Sequence, residues 1–234
     1  MGGVSYAEVV TAVSEAGGFG CLGASAMGHD VMVEEIDKVR AATSKPFGVD
    51  LLTAAPGDMS RDVNAMADRG ATVFVAGLGV PRDVIDLCHK RNMWVVNLCG
   101  KVRHAVAAVE AGCDIVVAQG TEAGGHTGTV ATFALVPQVV DAVGHRVPVV
   151  AAGGMYDGRH LAAALTLGAD GVWVGTRFIA TPEARSVIGY KDKLLAMQED
   201  DTVVTRAYTG KTCRVLRNDY TNEFDASGAK AEPF

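Results

Sequence analysis

The sequence predicts an α/β fold, and more narrowly a (β/α)8 barrel, on three observations. Short apolar runs begin near residues 19, 47, 72, 94, 114, 147 and 171. Amphipathic helical patterns separate them at a spacing of about 25 residues, as alternating βα units require. The runs are continuously apolar, the pattern of parallel strands buried on both faces. A doubly wound open sheet is the alternative.

Each element can be read in turn. Residues 6–16 carry a helical pattern with Ser5 as N-cap, and Gly17-Gly18 ends it. Residues 19–24 form a short strand. Gly18 to Gly23 spells G-x-G-x-x-G, but a dinucleotide loop needs a strand before it and a helix opening within it. Here a helix comes first, so these glycines read as close packing inside a barrel. Residues 31–42 form a helix with Val33, Ile36 and Val39 on one face. Pro46 resets the chain before a strand over 47–52. A helix over about 58–69 leads to a strand at 72–76, with Gly77 to Gly79 as its turn. Pro81 opens the next helix. The strand at 94–99 precedes a helix with Val102, Ala105, Val106 and Val109 on one stripe. A strand at 114–118, helix at 133–143, strand at 147–152, helix at 158–167 and strand at 171–174 complete the alternation. Seven strands leave an eight-stranded barrel one short. Met1-Gly2-Gly3 reads as the end of a strand, so the first strand is expected to be missing. Residues 1–218 are the barrel domain in this reading; 219–234 are polar, show no capping pattern and are expected to be a C-terminal tail.

Composition narrows the function. The chain has 234 residues, 49% hydrophobic and 21% charged, enough for one large ordered core. A net charge of −6 argues against a general nucleic-acid or anionic-membrane surface. The aromatic residues form no stacking series for nucleic acid. The five cysteines form no C-x-x-C pair and no metal spacing, which predicts reduced thiols in a cytoplasmic protein. No signal peptide pattern and no apolar run of membrane-spanning length is present.

Three motifs carry chemistry. The first is Val116-Val117-Ala118-Gln119-Gly120-Thr121-Glu122-Ala123-Gly124-Gly125-His126-Thr127-Gly128, an apolar strand running into a glycine loop with one histidine. Ligands of barrels sit at the C-terminal ends of the strands, and glycines let a flat ligand approach the backbone. His126 titrates near neutral pH and suits proton abstraction. The plainer reading is an exposed loop histidine. Glu122 reads as a loop cap rather than a base. The second motif is Val149-Val150-Ala151-Ala152-Gly153-Gly154-Met155-Tyr156-Asp157-Gly158, the third Val172-Trp173-Val174-Gly175-Thr176-Arg177-Phe178. They follow the last two strands, a frequent phosphate site in barrels, although ordinary βα turns are also glycine-rich. There is no Walker lysine motif and no H-E-x-x-H. His29, His89, His104, His145 and His160 read as surface or packing residues; Arg103 and His104 begin a helix near the C-terminal end of a strand, where a role toward substrate is also open. Flavin mononucleotide fits this set, with its single phosphate and planar ring; spacing alone does not separate it from other phosphorylated ligands.

Several motifs together resemble one family. Gln119-Gly120-Thr121-Glu122-Ala123-Gly124-Gly125-His126, Ala151-Ala152-Gly153-Gly154, Gly175-Thr176-Arg177-Phe178, Ala16-Gly17-Gly18-Phe19-Gly20 and Lys45-Pro46-Phe47-Gly48-Val49 are similar to nitronate monooxygenases, formerly called 2-nitropropane dioxygenases. The resemblance implies a TIM barrel that binds FMN and oxidises alkyl nitronates with O2. It implies that His126 is the base for neutral nitroalkanes, and that Gly153, Gly154, Gly175 and Thr176 hold the FMN phosphate. Met1 and Gly2 would contact the flavin through the backbone, Ala123, Gly124 and Gly125 would line it, and Asp50 and Gln119 would complete the cofactor contacts. A small-molecule substrate and a homodimer are expected.

Four departures stand out. Asp50 replaces an asparagine common in the family; an anion there would disfavour reduced, anionic flavin. Leu98 stands where some members carry lysine. The first strand and the helical cap that usually follows residues like Val215-Leu216-Arg217-Asn218 are expected to be absent. The chain also resembles flavin-dependent enoyl-acyl-carrier-protein reductases, notably in the Ala-Gly-Gly-His loop and over residues 201–218. An NAD(P)H-dependent flavin reductase of an enoyl thioester or quinone is therefore the alternative function. A flavin-binding barrel without activity is a third.

Overall fold

The computed structural model describes residues 1–53, 59–77 and 79–229. Its strands are β1 (Gly20–Gly23), β2 (Phe47–Leu52), β3 (Val73–Gly77), β4 (Trp94–Cys99), β5 (Ile115–Gln119), β6 (Gly125–His126), β7 (Val149–Ala152), β8 (Gly171–Trp173), β9 (Thr202–Thr205) and β10 (Cys213–Leu216). Its helices are α1 (Ala7–Glu15), α2 (His29–Ala42), α3 (Ser60–Asp68), α4 (Arg82–Lys90), α5 (Val102–Ala111), α6 (Thr132–Val143), α7 (Gly158–Thr166), the single turn α8 (Thr176–Ile179), α9 (Ile188–Ala196) and α10 (Asp219–Ser227). Among the described residues no helix is long and apolar enough to cross a membrane.

Seven strands form one parallel sheet in the order β1-β2-β3-β4-β5-β7-β8. It curls as in (β/α)8 barrels, with β1 and β8 as its open edges. Alternation along each strand builds two layers. Leu22, Phe47, Val49, Phe74, Val95 and Val116 face the helices and pack with Val10, Ile36 and Val39 or with Leu135 and Val139. Val73, Val75, Val96, Val117 and Ala152 face inward and cluster with Cys21, Leu98 and Trp173. The register fixes which residues meet: Asp50 lies beside Gly23 of β1 and Val75 of β3.

The glycines of the early G-x-G-x-x-G stretch pack as a barrel interior requires. A Cβ on Gly20 would overlap the Val10 carbonyl oxygen, and one on Gly23 would overlap the backbone of Met1. The Gly23 N–H donates to the Ser5 oxygen at 2.9 Å, so residues 1–5 run along the edge of β1.

The structure departs from expectation at three elements, and one expectation falls outside it. Ser5 does not cap α1: Tyr6 occupies the N-cap without a side-chain bond, and the Ser5 hydroxyl donates across to the Cys21 oxygen at 2.7 Å. The expected start of the third helix near residue 58 lies outside the described residues; α3 runs from Ser60. A second, antiparallel sheet in the order β6-β10-β9 was not anticipated. Residues 219–227 are helical rather than a plain tail, because Asn218 and Thr221 form a reciprocal capping box.

All five cysteines are free. Burial pushes the Cys88 and Cys99 thiols up to about 12 and Cys113 to about 11, so these thiols stay protonated and inert.

Candidate active site

A cavity of about 1850 Å³ lies at the C-terminal ends of the parallel strands. Met1, Gly2, Asp50 and Gln119 line it on the side of the N-terminal residues and the strands. Ala123, Gly124, Gly125 and His126 line it from the loop after β5. Gly153, Gly154, Gly175 and Thr176 line it from the turns after β7 and β8. The structure therefore brings every expected site residue into one space.

The loop after β5 is held at three points. Glu122 turns back so that its carboxylate accepts from the Thr132 N–H at 2.9 Å and the Thr132 hydroxyl at 2.7 Å. This satisfies a donor at the start of α6 that the helix itself cannot, and it makes Glu122 a loop cap, as its sequence position suggested. The Thr127 hydroxyl donates to the Gly120 oxygen at 2.8 Å. Gly120 must be glycine, because a Cβ there would overlap Thr132. The far end of the loop becomes strand β6, where His126 pairs with Cys213 and Gly125 with Arg214 of β10.

His126 is thus fixed from both sides. Gln119 Nε2 donates to its backbone oxygen at 3.0 Å. Its ring Nε2 lies 2.8 Å from the Thr209 hydroxyl, on the turn between β9 and β10. Burial and then the nearby Lys211 charge push its pKa below the usual 6.5, so the imidazole is neutral at pH 7.

The turns after β7 and β8 form a nest of backbone donors. Gly153 and Gly154 both have positive φ, +102° and +73°, which swings successive N–H groups toward one side. Among the described residues, the N–H groups of Gly154, Gly175 and Thr176 have no protein acceptor. A Cβ on Gly124 would come within 2.6 Å of Thr176 Oγ1, so the histidine loop and this nest touch only because position 124 is glycine. Beside Gly175 the nearest atom is Met1 Sδ, which joins the first residue to the end of β8.

Other groups at the cavity escaped the sequence reading. Lys101, Arg177, Arg206, Lys211 and Arg214 all line it, giving a basic rim in a chain of net charge −6. Arg214 is anchored, donating to the Thr121 oxygen at 2.9 Å and to Thr202 Oγ1 at 2.8 Å. His104, for which the sequence left both a packing role and a role toward substrate open, lines the cavity, where burial, Arg103 and Lys101 lower its pKa. The signal for the hairpin was present: Thr202-Val203-Val204-Thr205 and Cys213-Arg214-Val215-Leu216 are β-rich and flank a turn containing Gly210.

Comparison with known proteins follows the same lines. The nitronate monooxygenase family model matches residues 1–62 and 52–233. The putative monooxygenase Rv1533 of Mycobacterium tuberculosis is 38% identical over 274 residues, covering 93% of this chain and 73% of that protein. The (3aS,4S,5R,7aS)-5-hydroxy-7a-methyl-1-oxo-octahydro-1H-indene-4-carboxyl-CoA dehydrogenase of M. tuberculosis is 40% identical over 235 residues, covering 100% of this chain and 66% of that protein. The chain thus spans just under two thirds of the dehydrogenase. Among solved structures, nitroalkane oxidase from Streptomyces ansochromogenes superposes with a TM-score of 0.90 at 32% identity, covering 99% of this chain and 79% of that one. FabK from Thermotoga maritima superposes with a TM-score of 0.89 at 37% identity, covering 97% of this chain and 73% of that one. Sequence, fold and the layout of the cavity agree, and the chain belongs to the nitronate monooxygenase family of oxidoreductases.

Proposed function

We propose that this chain is an FMN-dependent oxidoreductase that oxidises alkyl nitronates, and neutral nitroalkanes through His126 as base, with O2 as the electron acceptor. The observation that carries this reading is the placement of a neutral histidine on the same cavity as a nest of unpaired N–H donors. The residues fit the cofactor. Gly154, Gly175 and Thr176 offer N–H groups to a single phosphate. The backbone of Ala123, Gly124 and Gly125 offers a wall without bulky side chains for a planar ring. When bound, FMN would supply the two-electron acceptor and the centre that reacts with O2.

The protein's own part is binding and proton handling. A nitro group acidifies the adjacent C–H, and neutral His126 takes that proton onto its imidazole. The electron pair of the broken C–H bond stays on the substrate as the nitronate. The Thr209 hydroxyl fixes the ring against rotation, and the anchored Arg214 holds the hairpin over the cavity. The positive rim favours an anionic nitronate over its neutral parent.

A second reading is NAD(P)H-dependent reduction of an enoyl thioester or quinone, and a specific observation favours it. The match to the CoA dehydrogenase runs 235 residues against the whole chain, whereas that to Rv1533 needs 274 residues to cover 93%. This chain therefore aligns along its whole length with a protein named for a CoA thioester. One experiment separates the readings: the absorbance spectrum of purified chain with FMN, followed anaerobically on adding a nitronate and then NADPH. Bleaching by nitronate alone supports the monooxygenase. Bleaching by NADPH alone overturns it in favour of the reductase. Failure to take up FMN overturns both.

A further inference from the structure

Asp50 is out of place on the inner face of the sheet. Alternation turns Gly48, Asp50 and Leu52 of β2 inward, opposite to Phe47, Val49 and Leu51, which pack under the helices. The inner layer around it is Cys21, Val73, Val75, Val96, Leu98 and Val117. Asp50 is the only carboxyl side chain on the inward positions of the described parallel strands. Its register partners, Gly23 and Val75, carry no polar side chain. Asp50 lines the cavity with Met1 and Gly2, and no described side chain or backbone N–H donates a hydrogen bond to it. Its side chain is only partly buried and borders the cavity, so a ring seated there would shut it off from solvent and leave a carboxylate with no described donor, a costly arrangement.

We propose that Asp50 holds a proton at the floor of the cavity and, as a neutral acid, donates a hydrogen bond to the FMN ring. This rests on the FMN reading above. A protonated carboxyl and a carboxamide are nearly the same shape, and each offers a donor and an acceptor in the plane. The two differ in that the acid can ionise.

The electrostatics agree with the geometry. Burial raises the Asp50 pKa above its usual 3.8, opposed by the α-ammonium of Met1. The other titratable group facing it is the Cys21 thiol on β1, pushed up to about 12 by burial and then by Asp50, so it brings no charge of its own. Ionisation of Asp50 would set a negative charge beside a ring that gains electrons on reduction. The neutral acid removes that repulsion. Asp50 therefore couples the ease of cofactor reduction to pH: reduction becomes harder as pH rises through the raised Asp50 value.

Two measurements on the full chain test this. In the first, the reduction potential of the FMN-loaded protein is followed between about pH 5 and 8 for the wild type and Asp50→Asn. The wild-type potential should fall more steeply with pH, and the two should converge at the acid end. Parallel curves overturn the proposal. The second needs no cofactor: the infrared difference spectrum of flavin-free wild type minus D50N, at neutral pH. A neutral-acid carbonyl band in the wild type supports the proposal. A carboxylate signal in its place overturns it, whether or not FMN binds. Loss of FMN uptake by both chains would instead bring down the reading of the cofactor, leaving the infrared result to decide the state of Asp50.

Discussion

His126 and Glu122 sit four residues apart on one loop and take different parts. His126 faces the cavity and its lowered pKa keeps it neutral. A base must be neutral to act, so activity on neutral nitroalkanes should be full at pH 7 and fall only as pH drops below 6.5 through the lowered value. The kcat/KM profile of the FMN-loaded chain checks this. His126→Gln should lower kcat on neutral nitroalkane by about 10²–10⁴-fold, the usual contribution of a positioned base. It should alter nitronate turnover far less, since a nitronate arrives already deprotonated. Equal losses on both substrates would contradict the assignment of base. Glu122 meets the start of α6. Glu122→Ala should cost ~0.5–2 kcal/mol of stability, as loss of a helix cap does, read as a lower urea midpoint. The chemical type of these two residues was legible from the sequence. Their division of work followed from Glu122 standing ten residues before Thr132, within a loop short enough to fold back on the helix it precedes.

At the scale of elements, the sequence and the structure agree where one periodicity runs through a whole element. The seven parallel strands were legible because most are buried on both faces, even though the edge strand β8 is only partly so, and each runs between glycine, proline or helical residues. The antiparallel sheet was not, because β6 has only two residues and borrows its regularity from β10. Its pairing is set by Cys213 and Arg214, far along the chain, which no pattern local to β6 announces. The cap of α10 was missed for a narrower reason. The reciprocal box here is Asn218 with Thr221, and threonine replaces the glutamate or glutamine that usually marks it. Asn218→Ala should lower stability by ~0.5–2 kcal/mol through loss of the bond to the Thr221 N–H. Asn218 Nδ2 also donates to the Tyr208 hydroxyl at 2.9 Å. A thermal melt, paired with a Tyr208→Phe control, separates the cap from the tyrosine contact.

Across the whole molecule, the cavity gathers the first residue, the middle loop and the final hairpin. Met1 meets the end of β8, His126 is framed by Thr209, and the nest after β7 and β8 closes the far wall. The expectation of a barrel was sound because alternating βα units build the curled parallel sheet, and a cavity lies at its strand ends. The basic rim was hidden because Lys101, Arg177 and Arg206 come from separate elements and read singly as surface charge.

The tie between β6 and β10 bears on how the molecule is made. Synthesis proceeds from residue 1, and domains fold as their residues leave the ribosome. The parallel sheet is complete once residue 173 has emerged. His126 has no Thr209 or Cys213 to pair with until some forty residues later, when the hairpin follows. A nascent chain stalled between those points would have its parallel sheet and the turns after β7 and β8, but no partner for the loop that carries His126. Emergence of the hairpin is what orders that loop.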